Sequence, residues 1–192
     1  RLRDLKFKIE EIERKLRDCW KDRRLFEIWA EYYTAVQIEE RHPDWEVKVS
    51  PNIRDDIVCY VNNGQKRREI KIQVKTGKWQ TWKWGELSLT SADACFTPFQ
   101  IENTDSFQYA VFFTHEDYKK IKEIFVFSRE DLKEVIKRSG NRATPYFVSK
   151  VESLEALEKW LKKYDPPEPL YELERCLVEK PKMYLERWDK IK

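Results

Sequence analysis

The sequence predicts an α/β fold in which a mixed central sheet is flanked by helices. Three stretches predict it. Residues 25–40, LFEIWAEYYTAVQIEE, carry apolar side chains at helical spacing. Residues 54–75, RDDIVCYVNNGQKRREIKIQVK, read as a β-hairpin. Residues 107–114, FQYAVFFT, form the near-continuous apolar run of a central buried strand. At 192 residues the chain is long enough for a single sizeable core.

The first element is a helix in which Leu2, Leu5, Ile9, Ile12, Leu16 and Cys19 recur at alternating steps of three and four, a coiled-coil seam. That seam has two possible destinations, a second subunit in a homodimer or the body of its own chain. In the next helix, residues 25–40, an apolar face is made by Leu25, Ile28, Trp29, Tyr32, Tyr33, Ala35 and Val36. Glu31 falls at the margin of that face, within reach of a sheet edge, whereas Glu27 is expected nearly opposite the stripe, in water. His42-Pro43 ends the helix. Trp45, Val47 and Val49 then alternate with Glu46, Lys48 and Ser50 as a first strand, and Pro51-Asn52 leads into the hairpin.

The second arm of the hairpin alternates cleanly, with Ile70, Ile72 and Val74 on one face and Glu69, Lys71, Gln73 and Lys75 on the other. Folding about Gln65 and Lys66 sets Asp56 opposite Lys75. A carboxylate, a carboxamide and an ammonium then share one patch of sheet. The pair reads either as a cross-strand ion pair worth ~0.2–1 kcal/mol or as part of a phosphodiesterase site. In such a site, hard oxygen ligands hold a divalent ion on the scissile phosphate and a lysine steadies the attacking water or the developing charge.

Asp56 followed by Gln73-Val74-Lys75, on consecutive strands after a helix, resembles the PD-(D/E)XK nuclease superfamily, the fold of many restriction enzymes and Holliday-junction resolvases. The resemblance covers roughly residues 25–128. It implies a restriction-endonuclease-like mixed central sheet, with Asp56 as central metal ligand and Gln73 adding its side-chain oxygen beside the Val74 carbonyl. It implies further that Glu31 serves a second ion or its water, and that Lys75 orients the nucleophile and stabilises the pentacoordinate charge. Mg²⁺, with Mn²⁺ as substitute, is the expected ion, and DNA the expected substrate of an endonuclease. Double-strand cutting needs two such sites, which dimerisation through the amino-terminal heptads would supply.

The family most often has an acidic residue where this chain has Gln73. A neutral amide oxygen can ligate Mg²⁺ but brings no charge, so affinity falls unless another carboxylate compensates. Gln73 thereby favours the rival reading, a non-catalytic nucleic-acid-binding or assembly module that keeps the fold. A third reading is a helical interaction protein built around the amino-terminal seam. For Glu31 the alternative is a solvated helix glutamate.

After Lys75 the sequence reads as a loop in which Trp79, Trp82 and Trp84 interleave with Lys78 and Lys83. This is a stacking and phosphate-contact combination, worth ~1–3 kcal/mol per stacked base. Alternatively the tryptophans cover the sheet edge, with at least one lysine facing the substrate groove. Residues 124–127 form a further strand, Ser128 caps the next helix with Asp131 as acidic partner, and Gly140 ends it. A last strand is expected at 144–148 and a helix at 154–161 that stops at Asp165-Pro166-Pro167, followed by a helical tail from residue 170. The expected organisation is a heptad-patterned helix at 1–24, a nuclease-like core at 25–164 and a helical extension at 165–192.

Composition bounds these readings. Charged residues are 38% of the chain, and 38 Lys and Arg nearly balance 35 Asp and Glu, for a net charge of +3. That balance argues against a purely electrostatic nucleic-acid binder and leaves room for a local basic groove. Four cysteines, at 19, 59, 95 and 176, and two histidines, His42 and His115, have no zinc-module spacing. With no apolar run near membrane length and no signal peptide, a reduced, cytoplasmic protein without a membrane partner is expected.

Overall fold

The computed structural model describes residues 1–18, 22–50, 56–64, 66–84, 87–92, 100, 102, 106–116, 118, 120–135, 138–139, 142–143, 148–151 and 181–192. Helix α1 spans Leu2–Asp18 and α2 Arg23–Arg41. The Asp22 side chain caps α2 by accepting the Leu25 N–H at 3.1 Å, so the helix starts two residues before its apolar pattern does. His42 ends it, its N–H donating to the Ile38 carbonyl at 2.9 Å and its ring stacked on Trp45 at 4.0 Å.

Strands follow as β1 (Glu46–Val49), β2 (Ile57–Asn63), β3 (Lys66–Lys78), β4 (Gln80–Trp84), β5 (Leu87–Ala92), β6 (Tyr109–Glu116) and β7 (Lys120–Ser128). Helix α3 (Arg129–Val135) and the short strands β8 (Arg138–Ser139), β9 (Arg142–Ala143) and β10 (Val148–Val151) come next, then two 3₁₀ turns, Pro181–Tyr184 and Trp188–Lys190. The main sheet is mixed, in the order β1-β2-β3-β6-β7, with β3 antiparallel to β2 and parallel to β6. The Gln108 side chain fastens the parallel pair where it begins. Its Oε1 accepts the Lys71 N–H at 2.6 Å, while its backbone N–H donates to the Lys71 carbonyl at 2.9 Å.

Both faces of the sheet are buried, which is why β6 is apolar at successive positions. Ile57, Cys59, Ile70, Ile72 and Val74 meet Phe26, Trp29, Ala30 and Ile38 of α2 on one face. On the other, Ala110, Phe112, Phe125 and Phe127 pack with Phe107 and with Leu132 of α3. Cys59 is a buried free thiol that burial pushes up to about 12, so it acts as a small hydrophobe. Ser128 and Asp131 form the expected reciprocal cap, with N–H to side-chain distances of 2.9 and 3.1 Å.

The amino-terminal seam folds back. Ile12 is 2% exposed in the first core, and Leu5, Ile9 and Leu16 pack against it. Lys6 pairs with Glu40 at 2.6 Å, Arg1 with Glu39, and the Trp29 indole donates to Glu13 at 3.1 Å. The stripe is therefore covered within the chain, the second of its two destinations. The connection to α2 is short enough to make an antiparallel helical hairpin, and that closes the seam within the chain. The change Ile12→Glu is expected to cost at least ~1.5–3 kcal/mol, the burial energy of the lost side chain. It should lower the urea midpoint without changing the sedimentation coefficient.

Two further expectations are corrected. The segment after Lys75 is strand rather than loop: β3 runs to Lys78, and β4 and β5 pair antiparallel within a three-stranded sheet with β10. Trp82 stands across from Leu89 and Trp84 from Leu87, a period-two pattern that marks strands. Residues 181–192 are not an appended helix. Tyr184, Trp188 and Ile191 are buried, Leu185 bridges to Phe125, and the Glu186 N–H donates to the Ile124 carbonyl at 2.8 Å. The segment covers the outer edge of β7. Strand β10 starts at Val148, where the expected last strand ends. The expected helix at 154–161, the tail at 170–180, Gly140 and Pro51-Asn52 lie outside the described residues. Among the described residues no helix is long and apolar enough to cross a membrane.

Candidate active site

The site grows from the register of β2 and β3. Ile57 stands opposite Ile72, and Asn63 opposite Lys66, so the chain reverses between Asn63 and Lys66, with Gly64 at φ 63°. Left-handed backbone of this kind suits glycine. The turn closes one position earlier than expected, and Asp56 meets Gln73 rather than Lys75. A shift of two positions in the pairing leaves every side chain on its own face. Asp56, Gln73 and Lys75 therefore stay together while their order along the edge changes.

Strand β2 begins at Ile57, and beyond Ile72 strand β3 runs on beside β6 alone among the described strands. The Lys71 N–H and carbonyl both bond Gln108, on the β6 side. Backbone direction alternates along a strand, so the Val74 N–H and carbonyl face the side that β2 has left. There the Asp56 carboxylate takes the place of a neighbouring strand. Its Oδ2 accepts the Val74 N–H at 2.6 Å and a second hydrogen bond from the Gln73 amide. Gln73 is 4% exposed, and its Oε1 has no hydrogen-bond partner among the described residues. A buried amide oxygen without a partner is costly unless something else comes to it.

Asp56, Gln73 and Val74 line a cleft of about 550 Å³. Glu31 lines it too. Burial, then the charge of Asp56, then that of Glu27, push the Glu31 carboxyl up to about 7, against a smaller opposing pull from Arg24. Burial and a like charge both disfavour the ionised carboxylate. Lys75, half-buried, and Lys78, exposed, border the same cleft from β3.

Glu27 borders the cleft as well, paired with Arg23 at 2.7 Å, rather than standing in open water. Residues four apart share one flank of a helix, and Glu27 goes where Glu31 goes. Trp79 packs partly buried against the second core, the covering role of its two alternatives. Lys83 and Trp84 lie on β4, with side chains outside the described residues. Sequence reasoning missed His115 and Tyr118, which reach the cleft because β6 lies parallel to β3 and brings His115 alongside Lys78. Only that parallel pairing could have found them.

Among the described residues, no three His, Cys, Asp or Glu side chains stand close enough to hold an ion by themselves. A divalent site here depends on Asp56 and Glu31 together with the neutral oxygens of Gln73 and Val74. The partnerless Gln73 oxygen and the raised Glu31 both fit such an ion, since hard oxygen donors suit Mg²⁺ or Mn²⁺. Comparison with protein-family models, curated proteins and solved structures returns no match.

Proposed function

We propose that this chain is a divalent-metal-dependent nuclease that hydrolyses phosphodiester bonds in DNA, and that its sheet is of the restriction-endonuclease-like kind. One observation carries the reading: Asp56, the orphan oxygen of Gln73 and the proton-retaining Glu31 converge on one cleft whose β3 wall adds Lys75 and Lys78. The order of helix, antiparallel hairpin and parallel neighbour around them supports the resemblance drawn from Asp56 and Gln73-Val74-Lys75.

Asp56, Gln73 and Glu31 would hold Mg²⁺, with the Val74 carbonyl on the same open edge. A bound ion supplies Lewis-acid charge to the scissile phosphate and orders the water that attacks it. Lys75 places an ammonium beside the phosphate, where it offsets charge that grows toward the pentacoordinate state. Lys78, at the mouth of the cleft, contacts a neighbouring backbone phosphate. Incubating the protein with Mg²⁺ and duplex, single-stranded, junction and flap DNAs tests the reading. Metal-dependent strand scission of at least one of them is expected, and none on any would overturn it.

The Gln73 amide gives weight to a second reading, a nucleic-acid-binding module without cutting activity. Its hydrogen bond to Asp56 is one that a glutamate could not donate, so the site is partly satisfied without an ion. Metal titration separates the two. Gln73→Glu is expected to keep or raise Mg²⁺ affinity by adding a charge, and Gln73→Ala to lower it. Unchanged titration curves for both variants would remove Gln73 from the ligand set.

A further inference from the structure

We infer that a second cavity beside the cleft receives an unpaired nucleobase. The inference rests on the nuclease reading and adds to it a substrate class, DNA with at least one base outside the duplex. The cavity measures about 470 Å³, within the roughly 300–1,000 Å³ of small-molecule sites. Tyr118 borders both spaces and is the wall between them.

That wall is built. Tyr118 has a positive φ of 57°, unusual for a residue with a bulky side chain. Its N–H donates to His115 Nδ1 at 3.1 Å, and its ring lies 4.5 Å from the His115 ring. His115 is in turn 4.6 Å from the Phe26 ring. The contacts hold a backbone conformation that costs energy on its own, as is common where a side chain must be aimed.

The lining fits a flat, edge-polar ligand. Tyr118 contributes a partly exposed ring, Phe26 and Trp29 contribute buried ones, and Leu16 and Ile121 stand beside them. Glu13 and Arg17 bring a carboxylate and a guanidinium to the same space, and the Trp29 indole fixes Glu13 by donating to it at 3.1 Å. Aromatic surfaces stack a base of any identity, while the acid and the guanidinium match donors and acceptors on its edge. A purely aliphatic ligand would leave both charged groups unused. Because the two spaces share Tyr118, a strand whose base is held here passes next to the cleft that Lys75 and Lys78 border. A base inside a duplex cannot enter without leaving the stack, which favours strands where it is already unpaired.

Binding is measured on the intact protein with Ca²⁺, using a ten-nucleotide single strand that contains 2-aminopurine. An abasic tract of equal length and charge is the reference. The wild type is expected to prefer the base-bearing strand by about tenfold or more, with quenched 2-aminopurine fluorescence. Leu16→Trp, which fills the cavity from its partly exposed rim, should bring that preference to near unity and leave affinity for the abasic tract unchanged. Glu13→Ala should reduce the preference in part. Equal wild-type affinity for the two strands, or a preference that survives Leu16→Trp, overturns the inference. Cleavage with Mg²⁺ is scored separately: base-dependent binding without cutting supports the cavity and removes the nuclease reading, and cutting without base dependence does the reverse.

Discussion

Replacing Asp56 with alanine is expected to reduce Mg²⁺-dependent DNA cleavage to background. Replacing Lys75 with alanine should lower it by about 10²–10³, the usual loss when one group that stabilises transition-state charge is removed. Asp56 is the point where the site's carboxylate, the Gln73 amide and the Val74 backbone meet. Its removal takes away a proposed ligand and the partner that aims Gln73. It also deprives the Val74 N–H of this acceptor, at a cost of about 1–3 kcal/mol. A domain with ~5–15 kcal/mol of stability survives such a loss, so the variant should melt cooperatively at a lower temperature. Lys75→Ala changes a half-buried side chain and should melt close to the wild type. Cleavage rates and melting curves measured together separate loss of chemistry from loss of fold. Wild-type rates in either variant would sink the assignment.

Without a divalent ion, stability is expected to fall as pH rises from about 5 to about 8 because of Glu31. Its carboxyl titrates at about 7 in the folded chain against an ordinary value of 4.5. Between those values the folded state keeps a proton that the unfolded state has released, so raising the pH favours unfolding. This contribution is fully present below 4.5 and is lost as pH passes through about 7. Glu31→Gln should flatten that part of the profile and make the ion-free protein more stable than wild type at pH 8. Mg²⁺ should act in the opposite sense. Binding needs the carboxylate, so below about 7 it releases a proton and its affinity climbs with pH, levelling off above. Melting temperatures across this range, with and without Mg²⁺, check both halves. An unchanged slope in Glu31→Gln would show that the proton sits elsewhere. In Asp56→Asn the Glu31 carboxyl should titrate lower, because the Asp56 charge is the second cause of its shift after burial.

Features that express a local repeat are legible in the chain without its fold. The apolar faces of α2 and β3, the buried run of β6 and the shared face of Asp56, Gln73 and Lys75 all express a period of two or of 3.6 residues. The Ser128–Asp131 cap is equally local, since its partners are three positions apart. The sheet-face assignments withstand an error of two positions in pairing, because such an error never moves a side chain through the sheet. Trp82, Trp84, Leu87 and Leu89 carry the same repeat, yet tryptophan and lysine together describe a binding loop equally well. Local pattern is ambiguous there, and the pairing of β4 with β5 resolves it.

Which partner each face meets is a matter of the folded chain. An apolar stripe requires burial without naming what buries it, so the α1 seam is open between another subunit and α2 until the short connection closes it onto the latter. Asp56 and Gln73 become neighbours through the pairing of Ile57 with Ile72, residues far apart in the chain. The parallel placement of β6 beside β3 brings His115 and Tyr118 to the cleft. The proton on Glu31 depends on burial under the sheet and on a charge twenty-five positions away in Asp56. Electrostatic energy is set by distance and solvent exposure in the folded chain, and neither quantity is a property of local sequence.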